Sequence, residues 1–190
     1  MNIGLFFGSF NPIHSGHMII AQSMLERTDI EELWFIVSPQ NPFKKNKSLL
    51  HEFDRLDLVE IATRENPKFK AVDVEFNMPR PSYTIDTLVV LSEKHPEHSF
   101  KLIIGEDNLA SFEKWKNHSQ ILKNYGLLIY PRPNSKESNI KSHEHSQIVK
   151  APMLDISATF IRNSIKEGYS IKYLVPESVE KMIHNKNYYY

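Results

Sequence analysis

Two histidines three residues apart, His14 and His17, lie in the stretch Gly8-Ser9-Phe10-Asn11-Pro12-Ile13-His14-Ser15-Gly16-His17. Near the start of a helix, that spacing puts both on one face. A glycine-bearing turn feeding a helix leaves backbone N–H groups unpaired beside the positive end of the helix dipole, which makes an anion site. Gly16 lets a ligand approach the main chain closely. A histidine there can donate to phosphate oxygens and stabilise charge that builds during phosphoryl transfer. A second group stands near the other end of the chain, in Ile156-Ser157-Ala158-Thr159-Phe160-Ile161-Arg162. Ser157 fits a helix N-cap, with the Thr159 hydroxyl and the Arg162 guanidinium in the first turn or so. Together they can hold a triphosphate through N–H, O–H and bidentate contacts. Read alone, each group has a plain alternative: an incidental histidine pair, and a capped helix with a surface arginine. No third histidine or carboxylate is patterned beside His14 and His17, so no protein-held metal is expected. Neither the Walker string nor G-x-G-x-x-G is present.

The elements that must position these residues follow from hydrophobic patterning. Residues 3–7, 33–37, 100–104 and 126–130 are short apolar runs closed by Gly8, Ser38-Pro39, Gly105 and Pro131, as suits buried parallel strands. Residues 69–76 alternate and predict a strand, and Met153-Leu154 a last short one. Helical spacing of apolar residues covers 17–26 and 53–64. A helix over 83–94 is expected with Ser82 at its cap, and closing helices over 158–166 and 176–185, the last with proline in its first turn. Residues 133–150 are polar and weakly patterned, and read as a loop or insertion. Alternating strands and helices predict an α/β fold with a mostly parallel sheet. Ligands bind such sheets beyond the carboxyl ends of the strands. The chemistry-bearing segments 8–17, 39–45, 105–115, 131–133 and 157–162 all follow strands.

Bulk properties exclude some classes. With 190 residues and 41% hydrophobic content, the chain can build one core, and one domain over residues 1–190 is expected. Lys plus Arg and Asp plus Glu each number 23, so no net field draws it to nucleic acid or to an anionic membrane. There is no cysteine, which removes disulfides and thiolate metal sites. No apolar run approaches the roughly 18 residues of a membrane span, and the start lacks a basic signal region. A cytoplasmic protein without nucleic-acid or membrane partners is the expectation; an oligomer stays open.

The first stretch resembles the H-x-G-H signature of the adenylyl- and cytidylyltransferase superfamily, in its form G-[ST]-F-[DN]-P-x-H-x-G-H. Phe7 stands where relatives often carry another glycine. The Ser157–Arg162 stretch is similar to the S-[ST]-x-x-[IL]-R-type element at the other end of that superfamily. Between them, Pro81-Ser82-Tyr83-Thr84-Ile85-Asp86-Thr87-Leu88 resembles the P-S-Y-T-x-x-T-L element of bacterial nicotinate-mononucleotide adenylyltransferases. Ile103-Ile104-Gly105-Glu106-Asp107-Asn108-Leu109, followed by Phe112 and Trp115, resembles their I-I-G-x-D-x-L…W element, and Pro131-Arg132-Pro133 their R-P element. The motifs keep their order over nearly the whole chain. Asn41-Pro42-Phe43-Lys44 departs from the usual P-P-H-K, so Phe43 has no polar role.

The resemblance implies a Rossmann-like, doubly wound fold with helices on both faces. It implies transfer of AMP from ATP, accompanied by Mg²⁺, to nicotinate mononucleotide, giving nicotinate adenine dinucleotide and pyrophosphate in NAD biosynthesis. His14, His17 and Arg162 are then the catalytic residues. Gly8, Ser9, Phe10 and Gly16 belong to the ATP site, with Gly105, Asp107, Ser157 and Thr159. Tyr83, Thr84, Trp115 and Lys116 belong to the mononucleotide site: the Thr84 and Lys116 N–H groups face the nicotinate carboxylate, and Trp115 stacks on the ring. Asp107 accepts from ribose hydroxyls, while Lys44 and Arg132 pair with phosphate. Trp115 also fits a core position, Asp107 a helix cap, and Lys44 a solvated charged loop. Rival readings are an adenylyltransferase acting on nicotinamide mononucleotide or phosphopantetheine, and a non-catalytic nucleotide-binding module.

Overall fold

A computed structural model describes residues 1–39, 49–133 and 135–190. Six strands form one sheet in the order β3-β2-β1-β4-β5-β6, and every pairing is parallel. They are β1 (Asn2–Gly8), β2 (Glu32–Val37), β3 (Phe69–Val72), β4 (Ser99–Gly105), β5 (Leu127–Tyr130) and β6 (Ser146–Ile148). The helices are α1 (Ser15–Arg27), α2 (Glu52–Thr63), α3 (Thr84–Lys94), α4 (Glu106–Phe112), α5 (His118–Tyr125), α6 (Ala158–Lys166) and α7 (Glu177–Lys186).

Strand periodicity explains why the sheet is covered on both faces. Adjacent side chains of a strand point to opposite sides. Phe6, Phe35, Ile103 and Leu128 join one apolar cluster with Ile20 and Met24 of α1, Leu58 of α2, Ile161 of α6 and Ile183 of α7. Their strand neighbours Leu5, Trp34, Ile36, Leu102, Ile104 and Ile129 join a second cluster with Leu88 of α3, Phe112 of α4 and Ile121 of α5. Continuous apolar runs were therefore the right signature, because neither face meets water. The fold is α/β, Rossmann-like and doubly wound. No described helix is long and apolar enough to cross a membrane.

Several expectations need correction. The strand expected over 69–76 stops at Val72, and a 3₁₀ turn (Val74–Asn77) follows. That turn buries the Glu75 carboxylate, which accepts from the Thr87 hydroxyl at 2.8 Å. Ser82 does not cap α3. The cap position is Tyr83, with no side-chain cap bond, and Ser82 is buried. Met153-Leu154 is not a strand. The last strand is β6, inside the polar segment read as a loop, where edge position leaves Gln147 and Ile148 exposed and removes the apolar signature. Helices α4 and α5, seven and eight residues long, are too short for a clear helical period and were not expected.

Candidate active site

The chain order reverses direction across the sheet at β1, whose neighbours are β2 and β4. At such a switch point, loops leave on opposite faces and open a crevice. A cavity of about 680 Å³ lies there, lined by Gly8 and Ser9 after β1, Gly105 after β4 and Arg132 after β5. The cap position or first turn of four helices also lines it: His14 of α1, Thr84 of α3, Asp107 of α4 and Ser157 of α6. Each brings the positive end of a helix dipole, and together they make an anion site within a chain of zero net charge.

His14 occupies the cap position of α1 and is buried, while His17 is half-buried. Their rings stack with centroids 3.7 Å apart. The His14 backbone N–H donates to His17 Nδ1 at 3.2 Å. His17 Nδ1 is therefore unprotonated, and in the neutral ring the proton sits on Nε2, a ready donor. Phe6 and Phe10 pack edge-on against His17 at centroid distances of 5.9 and 5.1 Å and fix its plane. His14 Nδ1 is buried with no hydrogen-bond partner among the described residues. Burial, helped by the Arg132 charge, lowers the His14 pKa to about 4. Burial first, then His14 and Arg132, holds His17 well below the ordinary histidine value. Both rings are thus neutral donors in the free protein at pH 7. Gly16 leaves room for this stack, since a Cβ there would press on His14 Nδ1 at 3.0 Å.

At the other wall, Ser157 caps α6 as expected, its hydroxyl accepting from the Phe160 N–H at 3.2 Å. Arg162 is buried, and burial lowers its pKa. Its Nη1 donates to the Asn11 carbonyl at 2.7 Å and its Nη2 to the Thr159 hydroxyl at 3.1 Å. The two signature segments, remote in sequence, are therefore tied directly to one another. These bonds use two of the five guanidinium N–H groups.

Of the other expected residues, Tyr83, Thr84, Gly105, Asp107, Trp115, Lys116 and Arg132 line the same cavity, and Gly16 does not. Trp115 is half-buried, its ring 5.5 Å from Phe112. The Lys116 ammonium pairs with Asp86 at 2.8 Å and sits 4.9 Å from the centre of the Tyr83 ring. Its side chain is thus committed, while neither its backbone N–H nor that of Thr84 has a protein acceptor among the described residues. Arg132 lies with Nε 4.0 Å from the Asp107 carboxylate and its guanidinium 5.2 Å from the Tyr130 ring centre. That Nε is buried and has no hydrogen-bond acceptor among the described residues. Lys44 and Phe43 lie outside the described residues.

Sequence reasoning missed Asn11, which stands inside the first motif. It is buried, and its side-chain oxygen accepts from the Leu50 N–H at 3.2 Å and the Tyr189 hydroxyl at 2.8 Å. Arg55 was missed too. Its spacing to Leu58 and Val59 on the buried face of α2 was a legible signal, but a charged residue there reads first as solvated. One group among the described residues, His95, Glu97 and His98, has metal-ligand character, its atoms within 4.8 Å of one another. It precedes β4, at the end of the sheet away from the cavity.

Comparison with known proteins bears on these features. The cytidylyltransferase-like family model matches residues 5–164. A protein named probable nicotinate-nucleotide adenylyltransferase from Cytophaga hutchinsonii is 60% identical over 189 residues, covering 100% of this chain and 98% of that one. A protein of the same name from Flavobacterium johnsoniae is 48% identical, covering 100% and 99%. A solved structure, Plasmodium falciparum nicotinic acid mononucleotide adenylyltransferase complexed with NaAD, superposes with a TM-score of 0.82 over 99% of this chain and 97% of that one. At 21% identity it speaks for the shared fold. Family match, full-length relatives and the paired signature segments agree: the chain belongs to the cytidylyltransferase-like family.

Proposed function

We propose that this nucleotidyltransferase moves the adenylyl group of ATP to nicotinate mononucleotide, releasing pyrophosphate and forming nicotinate adenine dinucleotide. The observation that carries the reading is the meeting, in one cavity, of two phosphate-type walls with a third wall suited to a flat acidic ring. The stacked His14 and His17 form one wall and the capped α6 with Arg162 another. Trp115, Tyr83 and the N–H groups of Thr84 and Lys116, without an acceptor among the described residues, form the third. The names of the full-length relatives support the same substrate pair.

In this mechanism an oxygen of the mononucleotide 5′-phosphate attacks the α-phosphorus of ATP in line. A P–O bond forms, the bond to the β-phosphate bridging oxygen breaks, and pyrophosphate leaves with the electron pair. The attacking phosphate is already a nucleophile, so the protein's task is positioning and charge stabilisation. His17 donates through Nε2–H, and His14 donates beside it, to oxygens of the α-phosphate. Thr159 and Arg162 hold the β- and γ-phosphates. The N–H groups at Gly8, Ser9 and Phe10 receive the rest of the chain of anions, and Arg132 bridges toward the acceptor phosphate. ATP enters as its Mg²⁺ complex, in which the cation offsets part of the phosphate charge. The donors facing the phosphates are imidazole, guanidinium and N–H, which suits a cation held mainly by phosphate oxygens and water. Asp107 and Gly105 meet ribose. A carboxylate on the pyridine ring takes the Thr84 and Lys116 N–H groups.

The test is product analysis. Purified protein incubated with Mg-ATP and nicotinate mononucleotide is expected to yield nicotinate adenine dinucleotide and pyrophosphate in equal amounts by mass spectrometry and coupled assay. Hydrolysis of ATP without the dinucleotide would defeat the proposal.

A further inference from the structure

The guanidinium of Arg55, on α2, lies behind the two loops that leave β1 and β2. Arg55 is fully buried. Its Nη1 donates to the carbonyls of Ser9 at 2.5 Å and Ser38 at 2.7 Å, its Nη2 to Pro39 at 2.9 Å, and its Nε to Leu50 at 3.0 Å. All four acceptors are neutral main-chain groups. A buried cation with such partners is costly, and an apolar side chain on the inner face of α2 avoids that cost. Packing alone does not account for it. What the guanidinium accomplishes is to fix the loop after β1 against the loop after β2.

The C-terminus grips the same loop from another side. Tyr189 is buried, and its hydroxyl donates to the Asn11 side-chain oxygen at 2.8 Å. The Tyr188 hydroxyl donates to Asp54, the neighbour of Arg55, at 2.7 Å. Burial raises the Tyr189 phenol well above its ordinary value, so it remains a proton donor. Ser9 and Asn11 are thus held on either side of Phe10, whose φ of 43° lies in the left-handed region. A non-glycine residue persists there only when its surroundings enforce it. His14 follows three residues after Asn11.

We propose that Arg55 and Tyr189 are positioning residues for adenylyl transfer, a clamp that sets residues 9–11 and the adjoining His14 against the α-phosphate. The proposal rests on the adenylyltransferase reading above. Tyr189→Phe removes one hydroxyl and keeps the ring, while Arg55→Lys keeps a cation that cannot span four carbonyls. Each full-length variant is compared with the wild type by pyrophosphate release from Mg-ATP and nicotinate mononucleotide, by calorimetric titration with Mg-ATP alone, and by thermal unfolding. For Tyr189→Phe the Tm is expected within a few degrees of wild type, the KM for the mononucleotide within about twofold, and kcat about five- to twentyfold lower, as misplacement near the reacting atoms implies. Arg55→Lys is expected to lose about a hundredfold in kcat. A wild-type kcat for Tyr189→Phe, or a loss seen only near its Tm, overturns the clamp. The Mg-ATP titration separates the two ideas. A wild type that makes no dinucleotide yet binds Mg-ATP several-fold more tightly than Tyr189→Phe sinks the acceptor assignment and upholds the clamp. Equal affinities in that case overturn the clamp as well.

Discussion

His17 cannot act alone, because its ring is oriented by a backbone donor and by its stack on His14. A donor fixed before the reaction acts on the charge that develops in the transition state more than on the ground state. His17→Ala is therefore expected to lower kcat by about 10² to 10³-fold. The affinity for Mg-ATP should change much less, since helix termini and Arg162 still meet the phosphates. Stopped-flow pyrophosphate release and titration with Mg-ATP check this; a loss expressed mainly as weaker ATP binding contradicts it. The depressed histidines also set a pH dependence of stability. His14 binds its proton near pH 4 in the folded protein but near 6.5 when unfolded, so the unfolded state holds more protons between those values. Its contribution to stability is complete above the unfolded pKa and is lost as pH falls toward 4. Between pH 7 and 5 the folded state should lose about 2 kcal/mol from this group, with His17 acting in the same direction. Urea unfolding at the two pH values checks it. His14→Gln should show a smaller difference than wild type, and an equal one removes the assignment.

At the scale of elements, α3 offers a sharp test. Thr84 is its first residue and Tyr83, before it, is extended, with φ −111° and ψ 144°. Both positions suit a proline at 84, because the first helical N–H has no partner inside the helix and proline favours an extended residue before it. Thr84→Pro thus deletes the N–H while sparing the helix. The KM for nicotinate mononucleotide is expected to rise about 10- to 100-fold, the worth of a hydrogen bond to a charged group, with little change in Tm. An unchanged KM excludes that N–H from carboxylate recognition. The legibility of the elements follows from burial. Strands β1, β2, β4 and β5 could be read because both faces are covered, so their sequences run apolar. The edge strand β6 carries Ser146 and Gln147 and looked like a loop. The α3 start was placed at Ser82 because serine caps helices so often, yet here the terminus is left without a side-chain cap at the cavity. The two signature segments and the stretch from Pro81 to Leu88 could be named from motifs. Tyr189 carries no motif, and what Asn11, inside the first motif, and Arg55, on the buried face of α2, contact shows only in bonds between distant segments, up to 178 positions apart.

The whole molecule is neutral, yet its donors are collected at one edge of the sheet. Six parallel strands aim their carboxyl ends, and the helices that follow them aim their N-termini, toward the side where the order reverses. Arg132 and Arg162 add charge there, Arg132 with the Asp107 carboxylate 4.0 Å from its Nε and Arg162 bonded to the Asn11 carbonyl and the Thr159 hydroxyl. The architecture thus gathers anion donors without making the protein basic, and in the proposed reading selectivity rests with the wall of Tyr83, Thr84, Trp115 and Lys116. A site that offers two N–H donors to an anion rejects a neutral amide, which leaves those donors imperfectly paired. The most direct measurement is pyrophosphate release from Mg-ATP with nicotinate mononucleotide and nicotinamide mononucleotide run side by side. The predicted result is a kcat/KM at least about tenfold higher for the nicotinate substrate; equal or reversed values, or release with neither, contradict the account.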